Sequence, residues 1–117
     1  MNKLSLLLGG MTLLLFSACE PVDINFNCNN VTPTYTGTIK AILDANCASG
    51  SCHSASSKAF NIDLSNYASV SSEADLDRFM GSINHQAGYS NMPRGGAALG
   101  FSDRQEIHCW IQNGKPQ

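Results

Sequence analysis

The sequence predicts an all-α fold, one small helical domain carried behind an extended N-terminal tether. Three observations carry that expectation. The 117 residues allow one domain and argue against two. Apolar residues recur at helical spacing in three separate stretches, around Ile39 to Leu43, Leu76 to Ile83 and Ile107 to Ile111. Strand-like alternation is confined to Phe60, Ile62 and Leu64.

The first residues read as a leader. Lys3 precedes an apolar run from Leu4 to Phe16, and those 13 residues fall short of the roughly 20 that a helix needs to cross a bilayer. Residues 1–18 are therefore expected to be a removable signal peptide. "FSACEP" follows, small residues and then Cys19, and it resembles the lipobox of bacterial lipoproteins. That resemblance makes Cys19 the expected lipidation site, with Phe16 standing where an aliphatic residue is usual. Each buried methylene of an acyl chain contributes about 0.8 kcal/mol, so several chains give a stable membrane anchor. Ordinary cleavage nearby, leaving Cys19 a free thiol, is the alternative. Cleavage before Cys19 leaves six basic and nine acidic side chains, a net charge of 6 − 9 = −3. With no basic patch, nucleic acid is excluded as a partner.

Residues 19–36 are rich in Asn, Thr and Pro without helical periodicity and read as the tether, leaving 37–117 as the domain. From Thr38 the pattern turns helical, with Ile39, Ile42 and Leu43 on one face and Lys40 and Asp44 opposite, running straight into Cys47. One further helical turn is expected around Tyr67 and Val70. A clearer helix is expected over Glu73 to Asn84, with Leu76, Phe79, Met80 and Ile83 as its stripe and acidic residues near its N-terminal end. "HQAGYSNMPRGGAALG" is then a long irregular loop. Ser102 and Gln105 form a capping box for the last helix, whose stripe is Ile107, Trp110 and Ile111, and "NGKP" supplies its stop.

Five cysteines in an exported chain is an odd number. Acylation of Cys19 leaves Cys28, Cys47, Cys52 and Cys109, which admit three pairings; if Cys47 and Cys52 hold a cofactor, Cys28 with Cys109 is the pair that remains. The stretch "NCASGSCHSASS" sets Cys47 and Cys52 around four small residues, with His53 next. A c-type haem is held by two cysteine thioethers with the adjacent histidine as axial iron ligand, usually as C-x-x-C-H. Here the spacing is C-x4-C-H. Ala48, Ser49, Gly50 and Ser51 are small enough to bulge aside.

From about Tyr35 to Gly114 the chain resembles a mono-haem class I cytochrome c domain. The matching stretches, in order, are "YTGTIKAILDANCASGSCH", "NMPRGGAAL" and "DRQEIHCWIQNG". The resemblance implies a small helical fold around one covalent haem c, attached at Cys47 and Cys52, with His53 as one axial ligand and the Met-Pro segment giving the other. Met92 is the residue of that segment. It lies in a loop before Pro93, Gly95 and Gly96, whereas Met80 belongs to a helical stripe where methionine is most often core. His85 is the reserve sixth ligand. Arg94 is a candidate partner for a haem propionate, and Phe60, Tyr67, Tyr89, Phe79, Phe101 and Trp110 are candidates to line the pocket.

Two rival chemistries remain for the thiols: a Cys47–Cys52 disulfide, or zinc held by Cys47, Cys52, His53 and one of His85 or His108. The favoured expectation is a lipid-anchored electron carrier in the cell envelope, facing the periplasm or the exterior. It would not be an enzyme, and it would exchange single electrons with redox partner proteins. The alternatives are a cofactor-free, disulfide-stapled binding module and a haem sensor with an open iron site.

Overall fold

Thr34 opens the first helical stretch. Its backbone is extended and its Oγ1 accepts the Gly37 amide at 3.1 Å, which satisfies one of the free N–H groups of a helix start. The structure is a computed structural model that describes residues 24–117; the expected signal peptide and the expected lipidation site Cys19 lie outside the described residues. A π-helical turn, Tyr35–Ile39, runs into α1, Lys40–Asn46. Tyr35, Ile39, Leu43 and Cys47 fall four residues apart and all are buried, so one stripe of this stretch carries the first thiol of the cysteine pair into the core.

A 3₁₀ turn at Ala59–Asn61 and the helices α2 (Tyr67–Glu73), α3 (Asp77–Ile83) and α4 (Phe101–Gln112) complete an all-α architecture; no strand occurs among the described residues. The alternation at Phe60, Ile62 and Leu64 does not form a strand. Phe60 and Asn61 have left-handed backbones, and only from Ile62 is the chain extended.

The periodicity predicts one helix over Glu73 to Asn84; in the structure that helix starts late, as α3 from Asp77, after α2 and a turn. Asn66 caps α2 by accepting the Ser69 amide at 3.1 Å, so that helix starts early and is spent by Glu73. Leu76 then turns extended (φ −96°, ψ 133°) and leaves the stripe, with 44% of its surface exposed. Lys115 Nζ donates to the Ser71 carbonyl near the end of α2 and pairs with Asp75 in the gap, while Arg78 reaches back from α3 to Glu73.

The core is Ile39, Leu43, Val70, Ile107 and Trp110, all fully buried, extended by Leu64, Phe79, Ile83 and Leu99. Tyr35, Tyr67 and Trp110 cluster at one end of it with ring centroids 5.3–6.4 Å apart. The C-terminal residues close over this cluster. Trp110 Nε1 donates to the Pro116 carbonyl at 2.9 Å, Tyr67 Oη to that of Lys115 at 2.8 Å, and the Tyr35 amide to that of Pro116 at 2.9 Å. Polar handles on buried aromatics are thereby paired, except the Tyr35 hydroxyl, which is buried without a partner.

The expected capping box at Ser102 and Gln105 is not made. Gly100 stands at the cap without a side-chain bond, and the Gln105 amide donates instead to the carbonyl of Asn27. The far end of α4 follows expectation: Gly114, at φ +85°, closes a Schellman motif in which the Lys115 amide bonds the Trp110 carbonyl at 2.8 Å and the Gly114 amide that of Ile111 at 3.1 Å.

The segment from Phe26 to Val31 lies along α4. Phe26 stacks against Phe101 and His108 at 5.3 and 5.0 Å, and Asn113 Nδ2 donates to the Val31 carbonyl at 3.0 Å. Cys28 and Cys109 form a disulfide there, Cα to Cα 5.3 Å, as expected for the pair left over from a cofactor at Cys47 and Cys52. Cys109 sits on α4 away from the Ile107 and Ile111 side, fully buried under this segment. No helix of the described residues is long and apolar enough to cross a membrane.

Candidate functional site

Among the described residues two thiols remain free, Cys47 buried and Cys52 exposed. Between them the chain leaves the helix and makes a compact loop. Cys47 departs from helical geometry (φ −125°), Gly50 turns left-handed at φ +54°, and the Cys52 amide bonds the Ser49 carbonyl at 3.1 Å. The His53 amide then donates to the Cys47 carbonyl at 3.0 Å. That bond closes the loop around the four residues between the cysteines and returns the His53 backbone to Cys47, so the longer spacing is absorbed as a bulge. Hydroxyls of Ser54 and Ser57 both donate to the Gly50 carbonyl, at 3.1 and 2.8 Å, fixing the turn from outside.

His53 is only 7% exposed. Its carbonyl accepts the Leu64 amide at 2.8 Å, and its Nδ1 lies 3.2 Å from the Ile62 carbonyl. A carbonyl can only accept, so Nδ1 carries the hydrogen and the neutral ring has its lone pair on Nε2. This is the tautomer and orientation that a metal-ligating histidine is given by its outer partner. The extended backbone at Ile62 supplies that carbonyl. The sequence marks this stretch only by its alternating apolar residues and gives no sign of the bond.

Cys47, Cys52, His53 and Met92 line one cavity of about 340 Å³. Its walls are largely apolar, with Ile62, Leu64, Phe79 and Ile83 prominent. Cofactor sites commonly run from about 300 to 1,000 Å³ with mostly apolar linings and a few placed polar groups. Two guanidinium groups, those of Arg78 and Arg94, supply the fixed positive charge of its lining. Arg78 is held in a two-pronged pair with Glu73 (2.8 and 3.2 Å), and Arg94 lies over the Phe60 ring at 5.2 Å. Phe60 is 73% exposed at this wall. Burial, and after it the nearby Cys52, push the Cys47 thiol up to about 11, so it is protonated at neutral pH.

Met92 enters the cavity from the loop after α3, where its amide bonds the Ser82 carbonyl at 3.0 Å. Arg94 lines the same cavity. His85, the reserve ligand, does not line it; its Nε2 donates to the Met92 carbonyl at 3.0 Å and is thereby engaged elsewhere. Met80 packs against the core, as its place in the stripe suggests. Of the candidate aromatics, Phe60 and Phe79 line the cavity. Tyr67 and Trp110 belong to the cluster under the C-terminal residues, Tyr89 covers Gly81, where an added Cβ would meet its ring at 2.5 Å, and Phe101 stacks on Phe26. His108 packs on Phe26, with burial lowering its affinity for a proton. The Glu73–Arg78 pair at the cavity wall has no sequence signal, since a charge pair five residues apart has no helical register to announce it.

Among the described residues no three of His, Cys, Asp and Glu gather closely enough to hold a metal ion by themselves. What gathers is two thiols, one imidazole and one thioether around an apolar space, a donor set that suits a macrocycle bringing its own nitrogen ligands to the metal. No family model, no curated protein and no solved structure matches the chain.

Proposed function

We propose that this chain is a lipid-anchored electron carrier of the cell envelope that holds one covalent haem c. The observation that carries the reading is the convergence of Cys47, Cys52, His53 and Met92 on one apolar cavity, with His53 Nδ1 tied to Ile62 so that Nε2 is the free ring nitrogen. Cys47 and Cys52 would hold the group through thioethers, while His53 Nε2 and Met92 Sδ would be the donors to its iron. Haem, when bound, supplies the one-electron chemistry.

The chain's own residues do the rest. Ile62, Leu64, Phe79 and Ile83 present an apolar wall to the group and would lower its local dielectric, which disfavours added positive charge and so would raise the reduction potential. A thioether ligand raises it further. Arg78 and Arg94 offer donors for carboxylate groups at the cavity wall. With His53 and Met92 both holding the group, the chain would leave no site there for a substrate and would pass electrons to redox partner proteins rather than turn one over. Cys19, acylated after removal of residues 1–18, would tie the domain to the membrane facing the periplasm or the exterior.

The test is production of the full chain alongside cytochrome c maturation machinery, followed by a pyridine haemochrome spectrum of denatured protein. Retained chromophore that disappears in Cys47→Ala and Cys52→Ala is the expected result. A colourless product carrying a Cys47–Cys52 disulfide would defeat the reading and leave the disulfide-stapled binding module.

A further inference from the structure

α3 ends in a Schellman motif, with the His85 amide bonded to the Ser82 carbonyl at 3.2 Å and the Gln86 amide to that of Gly81 at 2.9 Å. The residue that must turn left-handed there is His85, at φ +53°. The same position at the end of α4 is taken by Gly114, for which a positive φ carries no steric cost. A histidine in that role is locally the worse choice, and its side chain shows what it does instead. Nε2 donates to the Met92 carbonyl at 3.0 Å, across a loop whose other tie is the Met92 amide on the Ser82 carbonyl, also 3.0 Å. Ser82 O thus receives both ends of the loop, and the imidazole spans it.

We propose that His85 is a positioning residue: its hydrogen bond to the Met92 carbonyl fixes the backbone of the Met92 loop and so holds the Met92 thioether in the cavity, at a cost to the end of α3. The left-handed backbone is what aims the ring across the loop. The proposal rests on the haem reading for its consequence, ligand retention, while the loop clamp itself is a property of the chain.

The test compares haem-loaded wild type with His85→Gly and His85→Gln. Glycine takes the positive φ freely and removes only the ring; glutamine keeps an N–H donor. All three should carry equal covalent haem. His85→Gly should unfold at the same or higher urea concentration than wild type, yet imidazole should displace Met92, read by loss of the sulfur-to-iron absorbance in the red, at roughly tenfold lower concentration. His85→Gln should lie between. Raised ligand lability beside undiminished stability is a pairing that a merely structural histidine would not produce. Imidazole affinity in His85→Gly within twofold of wild type overturns the proposal, as does a glutamine variant no better than glycine. If wild type carries no haem, the haem reading fails and the clamp is judged in the haem-free chain. There the Met92 amide should exchange roughly tenfold faster in His85→Gly than in wild type, and equal exchange overturns it.

Discussion

Removing the Cys28–Cys109 disulfide gives a calculable perturbation. The two cysteines are 81 residues apart in sequence, so the bond closes nearly the whole domain into a loop. In the chain-entropy account a loop of that length restricts the unfolded chain by about 15 cal/mol/K, or about 4.5 kcal/mol at 25 °C. The folded state loses little with it. Phe26 still stacks on Phe101 and His108, Gln105 still donates to Asn27, and Asn113 to Val31, so the segment stays on α4. Cys28→Ala/Cys109→Ala should therefore keep the native circular dichroism spectrum and lose about 4 kcal/mol in urea unfolding, with haem content matched between the two proteins. Because the unfolded chain expands when the cross-link goes, the urea dependence should steepen as well. A loss below about 1 kcal/mol with unchanged slope would refute the unfolded-chain account and mean that the stabilisation resides in native contacts.

Three further outcomes follow from the site and the core. Met92→Ala should lower the reduction potential of haem-loaded protein, abolish the red sulfur-to-iron band and admit carbon monoxide; an unchanged spectrum would remove Met92 from the metal. In the chain with both thiols free, burial holds Cys47 up to about 11 from an ordinary 9.0. The unfolded thiol ionises first, so this contribution is complete below about pH 9 and is lost as pH rises towards 11, amounting to about 3 kcal/mol across that window. The stability difference between wild type and Cys47→Ala, followed by urea unfolding, should shrink accordingly, and a pH-independent difference would contradict the burial. Tyr35→Phe deletes a buried hydroxyl that has no partner, so urea unfolding should show a change of about 0 to +1 kcal/mol in stability; a clear loss would mean that the hydroxyl is paired in solution.

The sequence by itself determined the all-α class, the single apolar stripe of α1 and its delivery of Cys47, the glycine stop of α4 and the candidacy of Cys28 with Cys109. These are legible because they depend on residues within a turn or two of one another, or, for the cysteine pair, on counting. The late start of the helix expected over Glu73 to Asn84 was not legible, since Lys115, Ser71 and Asp75 meet only after the chain has folded back. Gln105 behaved likewise. Its local role as a cap lost to the Asn27 carbonyl, 78 residues away. At the site, types and order could be read, and the C-x4-C-H spacing suggested a bulge. The carbonyl of Ile62 that orients His53, the Arg78 guanidinium beside the cavity and the ring of His85 across the Met92 loop belong to tertiary structure alone. Backbone carbonyls look alike in every sequence, and which one a histidine meets, Ile62 for His53 and Met92 for His85, is decided only by how the irregular loop between them folds onto the core.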